Sequence, residues 1–429
     1  MMKHGDNISV AASARKMRAR NLHLMRILAF VVCVCAAFAV GFFLRGNNAL
    51  LESVGFSSIT SDSEPVSGAS SMKDKDAYNS LSVRLSEVED IIKQDSLDTY
   101  DLEVATTSVM GAFAEATEDN YLRYYDSARY ASLMHESSGS YAGIGVLFSE
   151  FNGQAYAVDV FDGSVAQVAG IRQGDYVVAI DGDRGQKWSM SEVTTSLDRT
   201  EGDTVVITWR RPATLETEGG DEFTTTLTCS RYDVKNVTSE LSDEVGYIKV
   251  KQLTQNSSSL VKQAIVDLAS KGALSYVLDL RDNPGGYLTQ AVDLASLFVK
   301  SGTIVQIQTK DGKSAKAATG NVATDRPLVV LVNENTAAAA EVLAAALQEN
   351  QRGTLVGTNT LGKGSVQVTR DLSFGGALRY TAAYYLSPQG RGINGVGVAP
   401  NVTMGLSGDA ASDSQKSLAM ETAQSLVRE

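Results

Sequence analysis

The sequence predicts a multidomain α+β chain: an N-terminal transmembrane helix, a helical arm, a β-rich domain and an α/β core. Three observations carry this prediction. Residues 27–44 (ILAFVVCVCAAFAVGFFL) hold no charge and reach the ~18 apolar residues that a bilayer-spanning helix needs. Short apolar runs between Gly/Asp turns fill the middle of the chain, as in a domain of small strands. From Gly246 onward strand-like and helix-like segments alternate, the pattern of an α/β domain. A chain of 429 residues is also too long for one ordinary core, so several domains are expected.

The basic tail 1–26 carries Lys3, Arg15, Lys16, Arg18, Arg20 and Arg26 against Asp6, a charge of +5; with −12 overall, the remainder carries −17. The anchor 27–44 is followed at once by a single cation, Arg45. The positive-inside rule therefore leaves the tail in the cytoplasm and puts the rest outside, on a single-pass protein of the cell membrane. A cleaved signal peptide is the rival reading, but no small-x-small site with a polar flank directly follows the apolar run. The acidity of the outer part argues against a nucleic-acid partner. Cys33 and Cys35 lie in the apolar run, leaving Cys229 alone outside it, so no disulfide framework or zinc cluster is expected there.

Residues 45–78 read as a flexible tether rich in Ser, Asp and Gly. Residues 79–137 read as a helical arm for packing or dimerisation: Leu81, Leu85, Val88 and Ile92 recur at helical spacing, and a second helix is predicted around 102–116. In 138–232 strands are predicted at 155–160, 176–180, 205–209 and 224–228, with a short helix at 164–169 ended by Gly170. In 233–404 strands are predicted at 247–250, 276–280, 328–332, 354–357 and 379–385. Helices are predicted at 260–268, 288–299 and 337–348. Residues 405–429 read as a polar, weakly helical tail.

The chemistry begins with an absence. Of three histidines, His4 and His23 fall on the cytoplasmic side and only His135 lies outside. A hydrolase built on the α/β core would need another base, and lysine is the known alternative. Lys363, in Leu361-Gly362-Lys363-Gly364-Ser365-Val366-Gln367, has small and apolar neighbours, and burial among such residues disfavours the charged form of an amine. Gln367 could hold the amine. Gly357 to Lys363 also nearly matches a phosphate-binding loop, but Gly364 stands where a metal-binding Ser or Thr is required. In Asp279-Leu280-Arg281-Asp282-Asn283-Pro284-Gly285-Gly286 a strand ends in a sharp turn into a helix, and bare amides at a helix start suit a developing oxyanion.

These segments, with Asn333 to Glu341 and Gly395-Val396-Gly397-Val398-Ala399-Pro400 in the same order, resemble the carboxy-terminal processing peptidases, a tail-specific family of serine/lysine peptidases. The likeness runs over about residues 80–404. It implies a PDZ domain at 138–232 and a Ser/Lys peptidase core at 233–404. It also implies a homodimer acting on the C-termini of protein substrates, with no metal or cofactor. In a PDZ domain the segment Tyr141-Ala142-Gly143-Ile144-Gly145-Val146 would supply amides for a peptide's carboxylate and a strand to pair with it, and peptide engagement would open or align the active site. The resemblance makes Lys363 the general base, Gln367 its orienting partner, and the amides of Gly286 and Ala339 the oxyanion hole.

The family pattern Asn-x-x-Ser/Thr-Ala-Ser-Ala-x-Glu places its nucleophile at position 338, where this chain has alanine. A methyl group cannot attack a carbonyl, so the chain as written is expected to be inactive. Thr336 and Ser365 are nearby hydroxyls, but neither stands at the matched position. The persistence of Lys363 and Gln367 fits a deliberate serine-to-alanine change. The alternative is a natural pseudopeptidase serving as a C-terminus-binding scaffold.

Overall fold

The computed structural model describes residues 80–133, 143–185, 187–405 and 413–428. The expected anchor, the tether, His135 and Tyr141 lie outside the described residues. Among the described residues no helix is long and apolar enough to cross a membrane. The chain divides into two compact units, residues 1–99 and 100–429.

In the first unit the described element is α1 (Leu81–Asp95). Ser80 caps it, its Oγ accepting from the Val83 amide at 3.3 Å, and no residue of the helix is buried. Leu81, Leu85 and Val88 of the predicted apolar stripe are exposed.

The second unit opens with α2 (Leu102–Glu115), capped by Asp101, then β1 (Arg123–Tyr125) and α3 (Ser127–Leu133). An antiparallel β domain follows: β2 (Val146–Phe151), β3 (Gln154–Val160), α4 (Val165–Val168), β4 (Tyr176–Ile180), α5 (Met190–Ser196), β5 (Thr204–Arg211) and β6 (Asp221–Thr228). Its strands lie in sequence order, which leaves β2 on an edge. Trp209, fully buried, stacks on Phe148 at 6.3 Å in a core completed by Val177, Val193 and Ile207.

The remainder is β7 (Val237–Ser242), β8 (Val245–Val250), α6 (Ser257–Ser270), β9 (Ser275–Asp279), α7 (Leu288–Ser296), β10 (Thr303–Thr309), β11 (Gly312–Ala317), β12 (Leu328–Val332), α8 (Ala339–Glu349), β13 (Thr354–Gly357), β14 (Ser365–Asp371), β15 (Ala377–Leu386), β16 (Val402–Thr403) and α9 (Ser414–Arg428). The central sheet has the order β16-β13-β12-β9-β8-β7 and is parallel except for the β7–β8 hairpin. The all-apolar run of β12 is explained by cover on both faces. Leu328, Val330 and Val332 join α6, α7 and α8 in one core, while Val329 and Leu331 face Ala419 and Ala423 of α9 in another. The segment read as a tail thus carries a helix packed on the sheet. Arg281 clamps it at 2.7 Å from Asp413 and 2.6 Å from Asp279. A second, antiparallel sheet has the order β1-β15-β10-β11, with β14 also on β15.

Candidate active site

The parallel strands β9 and β12 end side by side, Asp279 opposite Leu331, so the loops beyond them meet. Thr336 ties them: its hydroxyl donates to Leu280 O at 2.8 Å and accepts from the Asn333 amide at 3.0 Å. Fully buried and so committed, it is a structural hydroxyl. Asp282 adds a second tie, its Oδ1 accepting from Asn333 Nδ2 at 2.8 Å and Asn335 Nδ2 at 3.1 Å.

Ala338 stands at the turn into α8 with φ 51° and ψ −119°. That conformation suits glycine and strains an L-residue. Gly285 packs against this corner. With φ +92°, a Cβ there would lie 2.8 Å from Ala337 O and 2.9 Å from Ala339 N, so only glycine fits. Gly286 is exposed and forms a parallel bridge with Leu253, made by Leu253 N to Gly285 O (2.8 Å) and Tyr287 N to Leu253 O (2.9 Å). Its own amide therefore points away from Leu253. Sequence reasoning singled out Gly286; the glycine touching the 337–339 backbone is Gly285.

Glu341 binds the two halves of the site together. Its Oε2 accepts from the Ala338 amide at 2.9 Å and the Lys363 amide at 2.8 Å. Its Oε1 accepts from the Gly362 amide at 2.7 Å and Thr360 Oγ1 at 2.5 Å. Burial pushes the Glu341 carboxyl up to about 7, against four donors that favour its ionised form. The glycines flanking Lys363 are packing requirements: a Cβ on Gly364 would stand 2.3 Å from Asn394 N, and one on Gly362 would stand 3.1 Å from Gly397 N. The Gly395–Pro400 motif thus locks the lysine turn, with Gly395 N donating to Gly362 O at 2.8 Å.

The Lys363 side chain departs from the expectation of an amine held by Gln367. It is buried, but Nζ lies 3.2 Å from Glu150 Oε2 in an ion pair, and 5.6 Å from the centre of the Tyr121 ring. Arg379 Nη2 sits 3.2 Å from the same oxygen. Burial alone would raise the Glu150 carboxyl, but the Lys363 and Arg379 cations outweigh it and hold it down at about 2. Burial and the Glu150 charge push the Tyr121 phenol up. Gln367 Nε2 donates to Ser365 Oγ at 2.8 Å. A cavity of about 290 Å³ beside Lys363 is lined by Tyr121, Phe151, Leu361, Ser365 and Tyr384.

In the β domain, Gly143 exchanges both backbone bonds with Ser230, at 3.1 and 2.9 Å, so its amide is not free for a carboxylate. Ile144 and Val146 point into the domain core. Gly145 packs on Ser164, where a Cβ would meet Ser164 Cβ at 2.3 Å. Sequence reasoning missed Glu150, Arg379 and Tyr121 altogether. It quoted Glu341 without assigning it a task; a carboxylate three residues after a strained turn was the available signal.

The family described as Peptidase family S41 matches residues 244–404. The chain is similar to the carboxyl-terminal-processing protease of Synechocystis sp. (strain ATCC 27184 / PCC 6803 / Kazusa), 36% identical over 293 residues, covering 66% of this chain and 67% of that one. It is also similar to the carboxy-terminal processing protease CtpA of Bacillus subtilis (strain 168), 30% identical over 380 residues, covering 87% and 76% of the two chains. Among solved structures it resembles a photosystem II D1 C-terminal processing protease, with 28% identity and a TM-score of 0.61 over 75% of this chain and 86% of the other.

Proposed function

Since the chain belongs to peptidase family S41 and to its carboxyl-terminal-processing proteases, we propose that it is built as a serine endopeptidase with a Ser/Lys dyad whose nucleophile position, 338, holds alanine. The carrying observation is the shared Glu341 oxygen: the amides of Ala338 and Lys363 both donate to it, which sets the nucleophile corner beside the lysine turn. With serine at 338, Oγ adds to the scissile carbonyl carbon as its proton passes to the Lys363 amine. The oxyanion takes hydrogen bonds from the amides of Gly286 and Ala339. Collapse expels the amine product, which takes the proton from Lys363, and water repeats the sequence on the acyl-enzyme. The resemblance gives Gln367 the task of orienting the lysine; in the present arrangement its amide donates to Ser365 Oγ. With a methyl group at 338 the first step is impossible; loss of a triad nucleophile costs on the order of a millionfold in rate.

The β domain serves as a PDZ module for protein C-termini. What supports this is its edge strand β2, the element to which an extended peptide can add. The apolar run 27–44 anchors the chain so that the catalytic part works outside the cytoplasmic membrane, as a homodimer. The test is Ala338→Ser, incubated with unfolded casein. Cleavage that disappears in Ala338→Ser/Lys363→Ala supports the dyad. No cleavage, with or without added C-terminal peptides, leaves the scaffold reading: a pseudopeptidase that captures C-termini.

A further inference from the structure

We infer that Glu150 of the β domain is the positioning residue that keeps Lys363 out of catalysis: its carboxylate binds the amine as an ammonium ion, and proteolysis begins only when that pair is broken. The inference rests on the reading of Lys363 as the base. An ammonium has three donors and no lone pair, so it cannot take a proton from a hydroxyl. Glu150 and Lys363 are 1% and 8% exposed at 3.2 Å, where water does little to loosen an ion pair.

Three features make this contact a device that can open. Arg379 Nη2 reaches both Glu150 oxygens, at 3.5 and 3.2 Å. When the lysine leaves, the buried carboxylate therefore keeps a cation and no charge is stranded. The cavity of about 290 Å³ that Lys363 lines gives the amine room to move. The β domain also holds both other loops of the site: Tyr156 Oη donates to Asn335 Oδ1 at 3.3 Å, and Gln173 Nε2 donates to Asp282 Oδ1 at 2.7 Å. A shift of β2 and β3 thus moves Glu150 together with the nucleophile and oxyanion loops. Protonation does not release the pair, because two cations keep Glu150 ionised down to about pH 2. The charged and titratable groups facing it are Lys363 from the loop before β14, Arg379 from β15 and Tyr121 from before β1. Release is mechanical, by displacement of β2.

Two measurements test this. In the chain as it stands, acetylation of Lys363 by acetic anhydride, followed by mass spectrometry between pH 6 and 9, reports the free amine without any need for activity. Glu150→Gln is expected to raise that rate severalfold near pH 7, because no carboxylate then holds the amine as an ammonium ion. In the Ala338→Ser background, Glu150→Gln is expected to raise basal casein cleavage by a similar factor and to move the rise of kcat/KM to lower pH, with KM little changed. Unchanged acetylation, or cleavage no faster than in Ala338→Ser alone, overturns the proposal. Because Glu150→Gln could loosen the fold around Arg379, Glu150→Gln/Arg379→Gln with a matched thermal melt repeats both readings, and the same criteria apply. The two ideas fail separately: an Ala338→Ser protein that never cleaves removes the dyad, whereas one that cleaves and ignores Glu150→Gln removes only the latch.

Discussion

Two buried glutamates reach the same lysine, one at its side chain and one at its backbone amide, and they behave in opposite ways. Glu150, on the β domain, meets the Lys363 side chain and Arg379, two full charges. Glu341, on α8, meets the Lys363 backbone amide and three more neutral donors. Both are at least 99% buried. Formal cations overcome desolvation and hold Glu150 at about 2; four dipoles do not, and Glu341 is pushed up to about 7. Being well hydrogen-bonded and being firmly ionised are thus separate properties. Glu341 is a brace whose charge is negotiable at working pH. Glu150 is a charge that stays, and its partner has to move.

Truncation separates the two glutamates most strongly. Glu341→Ala leaves four buried donors without an acceptor, at about 1–3 kcal/mol each before water enters. Denaturant unfolding is expected to show a loss of about 4 kcal/mol or more, and Ala338→Ser/Glu341→Ala to lose cleavage altogether. Glu150→Ala is expected to cost less, about 3 kcal/mol, since the adjoining cavity admits water to the freed amine. A larger loss at Glu150 than at Glu341 would invert the assignment of brace and latch.

Acidity sharpens the contrast. The folded chain holds the Glu341 proton more tightly than the unfolded chain does. Its stabilising contribution is complete below the usual glutamate range and is lost as pH rises through about 7. Glu150 has the opposite sign: its contribution is present above the usual range and fades only as pH falls toward 2. Melting curves between pH 5 and 8 should therefore lose a downward slope in Glu341→Gln and keep it in Glu150→Gln. Equal slopes in the two variants would show that the brace does not titrate there.

The smallest expected effect lies at the corner the brace holds. Ala338 keeps a positive φ of 51°, and glycine relieves strain of ~1–3 kcal/mol at the cost of a more flexible unfolded chain. Ala338→Gly should stabilise by about 0.5–1 kcal/mol, read as a rise in melting temperature. A fall would place the strain elsewhere in the loop.

What was legible in the sequence follows from locality. β12 announced itself because a strand covered on both faces must be apolar throughout. Position 338 was legible only through the resemblance to the family pattern, and the lysine turn through its flanking glycines together with that pattern. Glu150 was not legible: it lies 213 residues from Lys363, and only docking of one domain on another brings them together. The segment 405–429 read as only weakly helical because the residues its helix buries are Gln415, Ala419 and Ala423, too weakly apolar to stand out from polar neighbours. Gln367 was matched to the lysine by spacing, but β14 carries a register irregularity between Val366 and Gln367 that alternation alone does not reveal.

The lysine turn is closed by the Gly395–Val398 segment, through Gly395 N on Gly362 O and Thr360 Oγ1 beneath the Val398 amide at 2.7 Å. That segment is synthesised after both position 338 and Lys363, so the lysine turn closes only once translation has passed residue 398.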